Sequence, residues 1–225
     1  MTITEMHSEF KLLMDKADGG GSPSFLSTEI DKFLNAAIER FVSKRAFGNN
    51  PRRTGFEEDQ KRRDDLRNLI VTDSSFSLTS DGLKPNSILV SLPTNYRHAL
   101  NEEVWVTVLG EDSGRRIGVK PITHDRYNKI VDDPFNKPDK NTIYRLDYGG
   151  DTVELIAAVG TYINKYYLRY LKNPAVVDGV STPNVSCDLA DHTHREIVRM
   201  AVVEALENIE DPRYQSSKIE LNEIE

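Results

Sequence analysis

Five residues able to ligate a metal, Cys187, Asp188, Asp191, His192 and His194, fall within eight positions of this chain. Thiolate, carboxylate and imidazole are donors that zinc takes, but a tetrahedral site needs a matching second pair elsewhere, and the sequence offers none. His192 and His194 stand two apart at a predicted helix start, where their side chains diverge, so capping or surface roles account for them. Asp132-Asp133 has the look of a paired-carboxylate acid and base, yet it precedes Pro134, a setting typical of turn and cap residues. Tyr162, Tyr166 and Tyr170 could stack single-stranded bases with Lys165, Arg169 and Lys172 on the phosphates. Tyrosines between sheet layers are the commoner use, and a pI near 5.4 argues against tight nucleic-acid binding. The phosphate-cradling loop, the dinucleotide fingerprint, the nucleophile elbow and H-E-x-x-H are all missing from the sequence. The reading is of a protein that is not an enzyme, with no cofactor and no metal, and whose signals point to assembly.

The assembly signal is strongest near the C-terminus. Asp191 is a candidate N-cap for a helix in which Ile197, Val198, Ala201, Ala205, Leu206 and Ile209 recur at helical spacing. Asp211-Pro212 ends it, because the residue before a proline is pushed out of the helical region. Beyond it, Ile219, Leu221 and Ile224 alternate with Glu220, Glu223 and Glu225, too few apolar residues for a core of their own. Residues 213–225 are therefore read as an extended tail, with Arg213, Tyr214, Ile219, Leu221 and Ile224 as candidates for gripping a partner.

Charge is segregated in a way that fits this. Residues 187–225 hold ten Asp or Glu against four Lys or Arg, which is −6 of the chain's formal −7. Residues 40–67 carry nine Lys or Arg against five Asp or Glu, a local +4. Arg52, Arg53, Lys61, Arg62 and Arg63 form a candidate intersubunit basic patch that could meet an acidic tail from a neighbouring copy. Two solvated surfaces that never meet explain the same counts.

The elements that must present these surfaces follow from hydrophobic period. Thr2 and Glu5 form a capping box for a helix with Ile3, Met6, Phe10, Leu13 and Ala17 inward. Gly19 to Pro23 ends it. After Ser27, the stripe Ile30, Phe33, Leu34, Ala37, Ile38, Phe41 and Val42 gives the strongest helical signal in the chain. Gly48 to Pro51 reads as a loop, and a charged helix is predicted from about Phe56 to Ile70. The period then shortens: Phe76 and Leu78, Ile88 to Leu92, Val104 to Val108, Ile117 to Ile122, Ile143 to Tyr148 and Val153 to Ala157 read as strands, with a short helix at Asp125 to Val131. Hairpin signals fall at Glu111 to Gly114 and at Gly149-Gly150-Asp151. Tyr162 to Leu171 fits either period; its aromatic density and the following Asn173-Pro174 favour a strand. The predicted architecture is α+β: residues 1–72 and 176–212 supply N- and C-terminal helices of one bundle, residues 73–175 a small antiparallel β-domain inserted between them, and 213–225 the tail.

Length and composition set limits. At 225 residues the chain can bury a core, but hydrophobic residues are only 38%. Counting Gly in place of Tyr gives about 40%, below the roughly 45–50% of ordinary domains, which suggests excursions stabilised by polar contacts between subunits. The single cysteine, Cys187, excludes an internal disulfide and fits a reducing compartment. No apolar run approaches the length of a membrane span, and the N-terminus lacks the pattern of a signal peptide.

The order of these features resembles the head-to-tail adaptor, or ring, proteins of short-tailed bacteriophages, including those of the crAss-like group and, more distantly, tail tubular protein A. The resemblance is carried by Leu34-Asn35-Ala36-Ala37-Ile38-Glu39-Arg40-Phe41, Leu92-Pro93-Thr94-Asn95-Tyr96, Asp133-Pro134-Phe135-Asn136-Lys137-Pro138, Tyr167-Leu168-Arg169-Tyr170-Leu171-Lys172-Asn173-Pro174, and His194-Arg195-Glu196-Ile197-Val198 through Asp211-Pro212-Arg213-Tyr214. The glycine stretch 19–21 and His192 depart from it. It implies a homo-oligomeric ring of about twelve copies at the head–tail junction of the virion, assembled in the host cytoplasm. The implied partners are the portal protein and further ring or tail proteins, with DNA only as the passing genome and no membrane. An alternative is a packaging accessory protein that binds nucleic acid through residues 40–67.

Overall fold

The computed structural model describes residues 1–18, 25–47, 58–79, 82–111 and 113–223, so the Gly19–Pro23 and Gly48–Pro51 loops, Phe56 and Ile224 lie outside the described residues. The chain divides into two compact units, Met1–Leu69 with Pro174–Glu225, and Ile70–Asn173. The fold class is α+β.

In the first unit, α1 (Ile3–Asp18) opens on the predicted capping box: Thr2 N–H donates to Glu5 Oε2 at 2.8 Å and Glu5 N–H to Thr2 Oγ1 at 3.3 Å. Ile3, Met6, Phe10 and Met14 are buried. Along α2 (Ser27–Phe47), Ile30, Leu34, Ala37, Ile38, Phe41 and Val42 are buried as their spacing requires. The predicted third helix is shorter than read: α3 (Gln60–Leu66) runs into one 3-10 turn, Arg67–Leu69, and Ile70 opens a strand. Asp59 begins it, its carboxylate accepting from Lys61 N–H at 3.0 Å. Near the C-terminus, α5 (His194–Asn208) packs on α1 and α2, and α6 (Tyr214–Glu223) packs on α5.

Polar side chains placed inside these apolar faces fasten the segment that follows residue 173. Asn35 of α2 forms a two-way bond with Val177, accepting its N–H at 2.7 Å and donating to its carbonyl at 2.9 Å. Asp31 accepts Gly179 N–H at 3.1 Å and pairs with buried His7 at 2.7 Å. Burying Asp31 without these partners would be costly, so the polar contacts fix one path for the segment.

In the second unit, β1 (Ile70–Asp73), β2 (Leu78–Thr79), β3 (Ser87–Ser91), β4 (Tyr96–Val108), β5 (Arg115–Pro121), β6 (Ile143–Gly149), β7 (Thr152–Ile156) and β8 (Thr161–Lys172) form one sheet in the order β1-β8-β4-β5-β6-β7-β3-β2. Val71 of β1 and Leu78 of β2, at opposite edges, pack against the same cluster of Val90, Val104, Leu155, Tyr166 and Leu168, so the sheet curls around one core. Helix α4 (His124–Asp132) covers the other face of β6 and β7 through Tyr127, which packs with Tyr144, Leu146 and Ile156.

The sheet departs from the sequence reading in two ways. It is not purely antiparallel, because β5 and β6 run parallel, with α4 in the crossover between them. Strand β4 is also far longer than Val104–Val108; its register against β8 shifts between Tyr96 and His98, between Ala99 and Asn101, and between Trp105 and Val106. Each bulge inverts the in-out alternation, which hides the first half of the strand from a period-two reading.

Candidate assembly site

The tail residues do not form an extended segment. Glu210, with φ of 55°, turns the chain out of α5, and Asp211 then starts α6, its carboxylate accepting Arg213 N–H at 2.8 Å and its carbonyl Tyr214 N–H at 3.0 Å. Helix α5 stops at Asn208, before the Asp211-Pro212 pair expected to end it, and Pro212 is preset for the beginning of the next helix. Tyr214, Ser217 and Leu221 share the half-buried face of α6, at helical spacing. Leu13, Val202, Val203, Leu206, Arg213 and Leu221 line a groove of about 440 Å³ beside it. Ile219 faces out and is 61% exposed. Lys218 donates to the Tyr214 hydroxyl at 3.0 Å. Two apolar residues two apart, Ile219 and Leu221, resemble strand alternation in sequence but lie on different faces of a helix here.

Of the basic patch, Arg52 and Arg53 lie outside the described residues. Lys61 and Arg63 are exposed on α3, and Arg62 is half-buried, with its Nε 3.8 Å from Asp59. Among the described basic residues of this region, the buried one is Arg45. It lies on α2, and it pairs with Asp65 of α3 at 2.8 Å and, through one terminal nitrogen, with both oxygens of Glu196 of α5 at 2.9 Å. Its guanidinium also lies 5.0 Å from the Phe41 ring centre. His192 reaches the other Asp65 oxygen at 2.8 Å. In sequence this cluster is one more mixed-charge run, and nothing in the local pattern distinguishes Arg45 from its solvated neighbours.

The would-be metal ligands turn to separate partners. Burial pushes the Cys187 thiol up to about 11. Asp188 accepts Ala175 N–H at 3.3 Å, and His192 serves Asp65. Asp191 does not cap the helix: it opens a 3-10 turn, and its carboxylate binds the Met1 amine at 3.0 Å, which with His194 holds its pKa below the usual range. The same amine lies 3.0 Å from His194 Nδ1, while His194 Nε2 lies 3.1 Å from the Leu189 carbonyl. Burial lowers the His194 pKa, and a neutral ring that accepts at Nδ1 and donates from Nε2 fits both contacts. No group of three His, Cys, Asp or Glu side chains among the described residues could hold a metal ion. Asp133 is a turn residue, its carboxylate accepting from Phe135 N–H at 2.9 Å and from Asn136 at 2.6 Å. The tyrosines form no stacking row: Tyr166 and Tyr170 are buried in the sheet core, and the bulge near Lys165 throws Tyr162 to the outside.

A cleft of about 720 Å³, which the sequence reading missed, opens in the sheet unit. At its base, buried Glu102 of β4 forms an ion pair with Arg145 of β6, which also reaches Asp147 at 2.7 Å. Burial pushes the Glu102 carboxyl above its ordinary range, an effect opposed by Arg145, and the buried Tyr166 hydroxyl lies beside it. Burial works against the Arg145 charge too, but Glu102 and Asp147 outweigh it and hold the guanidinium protonated. The bulges at the start of β4 concealed Glu102 because they disguise which face it takes.

The site thus comprises two surface grooves, an exposed apolar side chain on α6 and two buried charge clusters. The chain belongs to the phage tail ring protein 3/4 family, which it matches over residues 1–212, up to the start of α6. It is similar to Ring protein 3 of Bacteroides phage crAss001, 29% identical over 219 residues that cover 90% of this chain and 94% of that protein. It is also similar to Ring protein 4/5 of the same phage, 25% identical over 227 residues that cover 90% and 91%. The chain is thus a structural ring protein of the phage tail.

Proposed function

We propose that the protein forms a closed homo-oligomeric ring of about twelve copies at the head–tail junction, below the portal, through which the genome passes and on which further ring or tail proteins dock. The observation that carries this reading is the ring-protein family match along nearly the whole chain. In it, α1, α2 and α5 act as one bundle, interrupted in sequence by the sheet unit, and the outer face of α6 binds the portal or the adjacent copy. The test is imaging of the virion neck with the subunit tagged: a label on the neck supports the placement, and a label on the capsid or the distal tail contradicts it.

Ile219 is the sharpest probe of the α6 surface. It is largely exposed, so Ile219→Asp should leave the melting midpoint within about 2 °C of wild type while abolishing co-sedimentation with the portal or self-association. Normal attachment and normal assembly by this variant would exclude α6 as the gripping element, and loss of only one of the two names its partner.

A tube that releases DNA quickly cannot hold phosphates tightly, so the lumen should be neutral or acidic, with Arg52, Arg53, Lys61, Arg62 and Arg63 directed at protein neighbours. Neutralising Lys61 and Arg63 together should therefore weaken subunit association and leave DNA release unchanged. Slower or faster DNA release with assembly intact would place them in the lumen and favour the nucleic-acid reading. The engagement of Arg45 with Asp65 and Glu196 counts against that reading, because it removes a central charge of the 40–67 region from contact with phosphate.

A further inference from the structure

Two exposed aliphatic side chains stand on adjoining turns at one end of the β4–β8 ladder. Val108 to Glu111 and Ala158 to Thr161 are both β-turns, closed by Glu111 N–H to Val108 O at 3.0 Å and by Thr161 N–H to Ala158 O at 3.0 Å. The third residue of each is glycine, Gly110 at φ +86° and Gly160 at φ +80°, the conformation that defines a type II turn and that other residues resist. The second residues, Leu109 and Val159, are 76% and 86% exposed. Leu109 N–H donates to Gly160 O at 2.8 Å, so the two turns are tied to each other. Singly exposed aliphatic residues are ordinary; two at matched positions on clamped turns make a rigid apolar knob whose backbone is already ordered before it meets anything.

The Glu102–Arg145 cleft lies toward the other end of the same strand. Leu92, Ala99, Val119, Pro121 and Val153 give it apolar walls. From Asn101 at its rim to Leu109 is roughly 25 Å at the rise of a strand. Its volume is of the size that takes a drug-like molecule, room for a few side chains. Arg145 is already paired with Glu102 and Asp147, so an apolar group can cover it without leaving a bare charge.

A closed ring of identical subunits needs two different patches on each copy, one projecting and one receding, and a self-complementary patch would stop at a dimer. We infer that the Leu109/Val159 knob of one copy seats in the Glu102–Arg145 cleft of the next. The occupant of the cleft is thus a second copy of this chain. The inference rests on the ring reading above and adds the surfaces through which the ring closes.

The test uses the full chain. Leu109→Glu with Val159→Glu changes only exposed turn positions, so circular dichroism and melting should match wild type, while self-association weakens at least about thirtyfold. In a second arm, Leu109→Cys chains and Asn101→Cys chains are mixed, allowed to assemble and treated with a short bis-maleimide; Cys187, buried and with a raised thiol pKa, does not compete at neutral pH. The expected product is a covalent dimer in the mixture and in neither chain alone. Wild-type assembly by the double glutamate variant overturns this interface and leaves the ring intact as a reading. Leu109→Cys chains that cross-link to each other overturn the head-to-tail arrangement. A wild-type chain that stays monomeric, alone and with portal, overturns both the ring and the interface.

Discussion

Replacing Arg45 with alanine is expected to destabilise the helical unit by about 3–5 kcal/mol, because Asp65 stays buried with its main counter-ion removed and Glu196 loses both of its bonds to the guanidinium. Against the roughly 5–15 kcal/mol that separates folded from unfolded domains, this is a large fraction of the total. The ion pairs link α2, α3 and α5, so the loss should be felt across all three helices. Sole Trp105 lies in the sheet unit and reports poorly on this region, so the unfolding is best followed by helical circular dichroism in urea. The triple change Arg45→Met, Asp65→Leu, Glu196→Leu should recover much of the loss, since replacing a whole buried ionic cluster with apolar groups is often neutral or better. A loss below about 1 kcal/mol for Arg45→Ala would mean that water reaches the cluster and that it behaves as a surface pair.

Ala201→Asp should have an effect of similar size by a different route. Ala201 is 0% exposed on α5, the helix that packs on both α1 and α2, and a carboxylate there must be desolvated without any built partner. The cost is several kcal/mol unless the group stays protonated, and the expected result is insoluble protein. Thr107→Asp in the sheet is the control: Thr107 is half-buried, with its hydroxyl accepting from Asn164 at 3.3 Å, and the change should shift the melting midpoint by a few degrees at most while the protein stays soluble. Soluble Ala201→Asp protein with a wild-type melting curve would show that the α5 face is not closed as described.

What could be read in the sequence was what repeats with a constant period. The stripes of α1, α2 and α5 are mostly buried, with Leu13 and Phe33 half-buried and Ile209 exposed just past the end of α5, and the capping box at Thr2 and Glu5 is a purely local device, so both were legible. Strand β4 was only half visible because its bulges break the period of two, and the β5–β6 pairing was invisible because partners in a parallel pair leave no mark on one another's sequence. Helix α6 was missed because it packs chiefly on α5 and carries few apolar residues. Asp191 was misread as a cap because the contact that claims it comes from Met1, 190 residues away. The site followed the same rule. Ile219, read as a candidate for gripping a partner, is exposed, while the Arg45 cluster and the Glu102–Arg145 pair depend on chain-distant partners and have no local signature.

The central claim is that this chain is a ring subunit, and electron cryomicroscopy of the virion neck tests it most directly. The account predicts one closed ring of about twelve copies on the axis below the portal, with DNA or an open channel at its centre and no Lys or Arg cluster lining it. Density for the chain as isolated copies, as an open spiral or away from the neck would contradict it.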